Sequence, residues 1–261
     1  MTTFVLQLSD LHVFAEPLER LRGVATRESL QDVLAAVRRT GLEFSRVVVT
    51  GDLTHDERLE SYQAVRGLLK EWLPRGHVIP GNHDDRALIR EVFPDCTEGD
   101  ETGIRFSTTA GSWRLIGIDT HVPGEVSGDI TPDMLEWLEA ELATDDSTPT
   151  ILFQHHPPVP VGSAWVDDLG LRDPSRLHAV LARAPQVRVI SCGHVHQEFS
   201  GTLGSAIVLT MPSSGVQFVP LSPEAKVDLV PPGFRVLALE DDGWSSQVVR
   251  LSDPDAPPSI E

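Results

Sequence analysis

Phe4-Val5-Leu6-Gln7-Leu8-Ser9-Asp10-Leu11-His12 is a short apolar run that ends in a carboxylate and an imidazole. The arrangement recurs along the chain. Arg46 to Thr50 leads into Gly51-Asp52, and His77 to Pro80 leads into Gly81-Asn82-His83-Asp84. Thr150 to Gln154 leads into His155-His156-Pro157-Pro158, and Val187 to Ser191 leads, past Cys192, into Gly193-His194-Val195-His196. A sixth run covers Trp113 to Ile118. Runs this short and this rich in Val and Ile read as buried strands. Open α/β sheets place their ligands where strands end.

Helical patterns lie between the runs. Leu30, Val33, Leu34 and Val37 follow i, i+3, i+4, i+7 spacing behind Thr26, which predicts a helix capped by that threonine. Leu135, Leu138 and Leu142 follow Thr131 as cap and Pro132 as the first helical residue. Further helices are expected over roughly Arg58 to Trp72 and over Ser175 to Ala184, the latter stopping before Pro185. The alternation predicts an α/β protein with largely parallel central strands. After residue 200, Ala206 to Thr210, Phe234 to Leu239 and Ser246 to Leu251 follow one another without helices and read as antiparallel strands completing one domain over 1–251. Pro223, Pro231 and Pro232 mark a loop over 221–232, and 252–261 reads as a frayed, disordered tail of Pro, Ser and acid.

Composition sets limits on function. With 39 acidic and 21 basic residues in 261, the chain carries −18 at neutral pH. Such a surface opposes nucleic-acid duplexes and anionic membranes, which need a basic face. Small anionic substrates are repelled as well, so phosphate chemistry needs local positive charge, which bound metals supply. No spanning segment or leader pattern is read, and two cysteines, Cys96 and Cys192, are too few for a disulfide framework. These readings point to the reducing cytoplasm.

The clusters carry the chemistry. Each alone has an ordinary explanation, since a buried histidine is usually hydrogen-bonded core and an Asp after Gly is usually a turn. Five in order, each after an apolar run, point to metal binding. Imidazole, carboxylate and one amide oxygen, without thiolate, suit Mn, Fe, Zn or Co better than Ca or Mg. The donors are too many for one ion, and a carboxylate can bridge two ions about 3.5–4 Å apart. Gly51, Gly81 and Gly193 are expected to let the backbone turn sharply before the donors.

As an ordered set, Asp-x-His, Gly-Asp, Gly-Asn-His-Asp, His-His-Pro-Pro and Gly-His-x-His resemble the motifs of the calcineurin-like metallophosphoesterases, over residues 10–196. The resemblance implies a four-layer αββα sandwich of two mixed β-sheets and a dinuclear centre of two divalent or mixed-valence transition ions. It implies that Asp10, His12 and His196 hold one ion, that Asn82, His155 and His194 hold the other, and that Asp52 bridges them. It gives His83 a place facing the phosphate, where it stabilises charge or protonates the leaving oxygen. Asp84 could orient the His83 ring or cap a helix over Arg86 to Val92. Leu8 to His12, Gly51 to Thr54, His155 to Pro160, Pro212 to Phe218 and Pro232 to Arg235 look closest to the branch of bacterial cyclic nucleotide phosphodiesterases and glycerophosphodiesterases. That branch implies attack by a metal-bridging hydroxide on a small phosphodiester, a 3′,5′-cyclic nucleotide before a glycerophosphodiester or a broad range of diesters, in a homodimer or higher oligomer. A non-catalytic scaffold of the same fold is the reading from a different class, and the complete donor set opposes it.

Several residues keep two readings. His55 occupies the place where purple acid phosphatases carry a tyrosine ligand, but it fits a loop or a supporting contact; Tyr62 is the only tyrosine. His156 fits a structural role, and His121 either lines the pocket or lies on a surface loop. Trp165 and Phe218 could stack on a nucleobase or anchor loops.

Overall fold

The computed structural model describes residues 1–100 and 102–251, so the expected tail lies outside the described residues. One sheet has the order β14 (Trp244–Arg250), β13 (Gly233–Leu239), β1 (Thr3–Leu8), β2 (Phe44–Thr50), β3 (Gly76–Ile79). β1, β2 and β3 run parallel, and β13 and β14 complete the sheet antiparallel. The second sheet has the order β4 (Glu98–Asp100), β5 (Gly103–Ala110), β6 (Trp113–Gly117), β7 (Thr150–Gln154), β8 (Val187–Cys192), β10 (Ala206–Thr210), β9 (Phe199–Leu203). A small ribbon pairs β11 (Gln217–Phe218) with β12 (Val227–Asp228), the latter inside the 221–232 stretch read as a loop.

Three apolar layers make this a sandwich. Val5, Val48, Ile79, Phe106, Ile151, Phe153, Val189 and Leu237 pack between the sheets. Leu6, Leu8, Val47 and Val49 point the other way, against α1 (Thr26–Arg39), α2 (Leu59–Leu69) and α3 (Arg86–Val92). Leu152 and Ile190 cover the far face under α4 (Pro132–Ala143) and α6 (Pro174–Leu181). Alternation along each strand sends neighbouring residues to opposite faces, so continuous apolar runs fill two layers at once. The order helix, sheet, sheet, helix is the expected four-layer arrangement.

Three local expectations change. β10 pairs parallel with β8 and antiparallel only with β9, because the chain returns through β9 before entering β10. Thr26 lies inside α1 behind Ala25, and its hydroxyl donates to the His12 carbonyl at 2.8 Å instead of capping the helix. Asp85, not Asp84, caps α3, accepting from Leu88 N at 2.9 Å. Thr131 caps α4 as read, with Pro132 next.

Candidate metal centre

The predicted donors leave the ends of β1, β2, β3, β7 and β8 and meet on one edge of the sandwich. The chain reaches this by unusual backbone. Asp10, His12, Asp52, His194 and His196 have φ of 54°, 46°, 51°, 72° and 50°, in the left-handed region that non-glycine residues rarely adopt. Such strain persists where the surroundings over-determine it, and here it turns side chains inward just past each strand. Backbone pairing continues into the turns: Asp10 N donates to Gly51 O at 3.0 Å and His12 N to Asp52 O at 2.9 Å. The glycines act differently from expectation. Only Gly51, at φ +92°, uses the left-handed region, whereas a Cβ on Gly193 would lie 2.1 Å from Ser9 Oγ. Gly81 and Gly193 provide room for the donors, not a sharp turn.

Two groups of donors meet at Asp52. Its Oδ2 lies 3.5 Å from His12 Nε2, which lies 3.1 Å from His196 Nε2. Asp10 Oδ1 lies 3.4 Å from His196 Nε2. On the other side, Asp52 Oδ1 lies 3.5 Å from His155 Nε2. Asn82 Oδ1 lies 3.2 Å from that nitrogen and 3.0 Å from His194 Nδ1. The two oxygens of one carboxylate therefore face two separate clusters.

The hydrogen-bond chemistry fits cations. His155 Nδ1 faces Thr50 O at 2.7 Å and His196 Nδ1 faces Val216 O at 2.8 Å, so both rings carry their proton there. Their Nε2 lone pairs then point at carboxylate oxygens, and in the first case also at the amide oxygen. Acceptors facing acceptors in a buried site repel unless a cation lies among them. Burial, then the neighbouring imidazoles, holds His194 down to about 3 and His12 well below its ordinary value, so both stay neutral and able to ligate. Burial and then Asp10 push Asp52 well up. Burial opposes ionisation of Asp10, but His196, His155 and His12 together hold that carboxyl low.

The remaining histidines separate by their partners. His83 lines the cleft over the donors, its ring 5.1 Å from that of His12, and its amide donates to Asp52 Oδ1 at 2.9 Å. Burial and then His55 lower it to about 4. His55 Nδ1 lies 3.2 Å from His12 Nδ1 and its ring stacks on His83 at 4.6 Å, which makes it a supporting contact. His156 is held on both sides, by Thr120 Oγ1 at 2.8 Å and Val126 O at 3.0 Å. His121 is buried beside Asp119 and Arg86 and does not line the cleft, so neither reading of it holds. Asp84 does not orient the His83 ring: it accepts from Gly81 N at 2.9 Å, Leu53 N at 3.1 Å and Tyr62 Oη at 3.2 Å. It ties together the loops that carry Asp52 and Asn82.

Sequence reasoning missed other parts. Ser213 Oγ donates to Asp10 O at 2.6 Å, and Gln217 Nε2 holds Ser213 O at 2.7 Å. The Pro212 to Phe218 segment thereby presents the Val216 carbonyl to His196, a role invisible in residue types because any residue has a carbonyl. Arg22 also lines the cleft, which measures about 350 Å³ and includes Leu21, Trp165, Leu169 and Phe218. Nothing in the sequence marks Arg22, since Arg20 and Arg27 lie close by with the same charge.

A two-sheet sandwich with histidine, carboxylate and amide donors split by one carboxylate defines a metallophosphoesterase, and the chain belongs to the calcineurin-like phosphoesterase family, whose model matches residues 5–198. The family makes it a metal-dependent phosphodiester hydrolase with a cluster suited to a dinuclear site. The chain is 37% identical over 253 residues to the 3′,5′-cyclic adenosine monophosphate phosphodiesterase CpdA of Pseudomonas aeruginosa, covering 97% of this chain and 91% of that one. It is 35% identical to CpdA of Escherichia coli strain K12, covering 95% and 90%. A dimetal phosphatase from Danio rerio superposes with a TM-score of 0.69 at 16% identity, covering 94% of this chain and 95% of that one, which shows the shared fold. Among the described residues no helix is long and apolar enough to cross a membrane.

Proposed function

We propose that the chain hydrolyses a 3′,5′-cyclic nucleotide at two metal ions, one held by Asp10, His12 and His196, the other by Asn82, His155 and His194, with Asp52 between them. The observation that carries the two-ion reading is the division of the Asp52 oxygens between His12 and His155. The substrate reading is supported by the names and coverage of the CpdA relatives. Manganese, iron, zinc and cobalt all suit this donor set. The proposed setting is a homodimer or higher oligomer in the cytoplasm, where the buried free thiols Cys96 and Cys192 would stay reduced.

When bound, the metals would draw charge from the phosphoryl oxygens and lower the pKa of water at the site. The chain's own residues do the rest. Thr50 O and Val216 O hold His155 and His196 in the tautomer that leaves Nε2 free. His55 steadies the His12 ring. His83 lies over the donors, where its ring can hydrogen-bond the phosphoryl group and protonate the departing alkoxide. The incoming negative charge raises its proton affinity from the low value set by burial.

The test is turnover by metal-free protein reconstituted with Mn²⁺, using 3′,5′-cyclic AMP, 2′,3′-cyclic AMP, glycerophosphodiesters and bis(p-nitrophenyl) phosphate. The expected result is highest kcat/KM for a 3′,5′-cyclic nucleotide. Preference for glycerophosphodiesters, or for the aryl diester alone, overturns the substrate and leaves the two-ion site standing.

A further inference from the structure

Arg22 is an unusual residue for its position. It lies in the left-handed region at φ 47°, in a tight turn where Leu21 and Val24 exchange both backbone hydrogen bonds at 2.9 Å. Glycine would adopt this conformation at lower cost, and Gly23 is the next residue. In a chain of net charge −18, its guanidinium makes no ion pair or hydrogen bond with any described residue. It lies instead over the Phe218 ring, 5.5 Å from the centroid. A guanidinium stacked this way keeps its N–H edges free.

Phe218 is well placed to hold it. The residue belongs to the β11–β12 ribbon, and its ring is 5.1 Å from that of His196. Trp165 meets Phe218 edge-on at 4.8 Å. The indole Nε1 of Trp165 is buried and has no hydrogen-bond partner, an arrangement native proteins rarely leave unexplained. Set aside the proposed ligands and the stacked pair His55 and His83. The side chain that then offers free polar groups to the cleft is Arg22, among Leu21, Val126, Leu169 and Trp165, whose indole nitrogen is buried. A guanidinium only donates.

We propose that Arg22, Trp165 and Phe218 form a base subsite that takes a purine by an acceptor edge and favours guanine over adenine. This rests on the nucleotide reading of the site. The half-buried Trp165 ring offers an aromatic surface at the cleft, while Phe218, covered by Arg22, holds the guanidinium, whose fork matches the paired acceptors N7 and O6 of guanine. Adenine offers N7 beside an amino group, which places a donor against a cation and loses one bond. The same preference makes cyclic GMP a better substrate than cyclic AMP through KM more than through kcat, since the subsite lies away from the reacting phosphorus.

Calorimetry on the Mn²⁺-loaded protein tests this without turnover, using 5′-GMP, 5′-AMP and ribose 5-phosphate. GMP should bind about tenfold more tightly than AMP, and AMP more tightly than ribose 5-phosphate. Arg22→Leu should bring GMP to the level of AMP and leave ribose 5-phosphate unchanged. Arg22→Lys, which keeps the charge and loses the fork, should not restore the difference. Trp165→Phe should weaken both nucleotides and spare ribose 5-phosphate. Equal weakening of all three ligands by Arg22→Leu would place Arg22 on the phosphate and overturn the base subsite, as would equal binding of GMP and AMP by the parent. Parallel turnover assays keep the two readings apart. The GMP pattern without hydrolysis of cyclic GMP supports the subsite and overturns only the phosphodiesterase reading.

Discussion

The Tyr62 hydroxyl donates to the Asp84 carboxylate at 3.2 Å and accepts from Asp85 N at 2.6 Å. The one tyrosine of the chain thus joins α2 to the loop that carries Asn82 and His83. Tyr62 is fully buried, so its loss strands the Asp85 amide and takes one of several donors from Asp84. Tyr62→Phe should cost about 1–3 kcal/mol, read by urea unfolding. Turnover should fall while metal content stays unchanged. A neutral effect on stability would show that water replaces the phenol.

Arg86 forms a bidentate pair with Asp119, with contacts of 2.6 and 3.0 Å, and also donates to the His121 carbonyl. The Asp119 side chain is 1% exposed and that of Arg86 18%. Removing one partner strands a buried carboxylate. Arg86→Leu should therefore destabilise by about 3–5 kcal/mol. Arg86→Leu with Asp119→Asn should recover much of that loss, since no buried charge remains. Equal instability of the single and double variants would assign the cost to packing.

Metal content separates the shared donor from an unshared one. Asp52→Ala removes the oxygen facing each cluster and should leave less than one equivalent of Mn²⁺ bound. Asn82→Ala, which touches His155 and His194 alone, should retain about one equivalent and lose most activity. Plasma mass spectrometry after gel filtration reads both. Two equivalents retained by Asp52→Ala would remove it from the bridging position.

His77 gives a pH effect away from the centre. Its ring stacks on Phe106 at 4.5 Å, and burial followed by the Arg46 charge lowers it to about 4. In the unfolded chain the ring titrates near its ordinary value of 6.5. Between these values the unfolded state binds a proton that the folded state does not, so His77 makes stability fall as pH drops through that window. His77→Phe should lose less Tm between pH 8 and pH 5 than the parent. Since metals titrate equally in both proteins, the difference isolates His77. Parallel Tm curves would show that the ring stays accessible to protons.

Local signals were readable where the contact partners are near in sequence. Thr131 and Pro132 begin α4 as their types require, because a cap needs only the next three amides. Thr26 has the same type and a different role, because α1 already begins at Thr26 with Ala25 at the cap position, and its hydroxyl donates to the His12 carbonyl. β5 escaped notice because its inward residues Ile104 and Phe106 give way to Ser107-Thr108-Thr109, a half-polar edge pattern. The direction of β10 depends on which strand it meets, which residue types do not encode.

Residue order by itself shows apolar strands alternating with helices and candidate donors at the strand ends, since short apolar runs must be buried and strand ends expose side chains; the two-sheet sandwich came only with the family resemblance. The folded arrangement was needed to learn how those donors divide about Asp52, that Asp84 binds backbone amides, that Val216 orients His196, and that Arg22 covers Phe218. These contacts join distant segments, as when Asp10 accepts from the amide of His194, and several run through backbone groups that every residue shares.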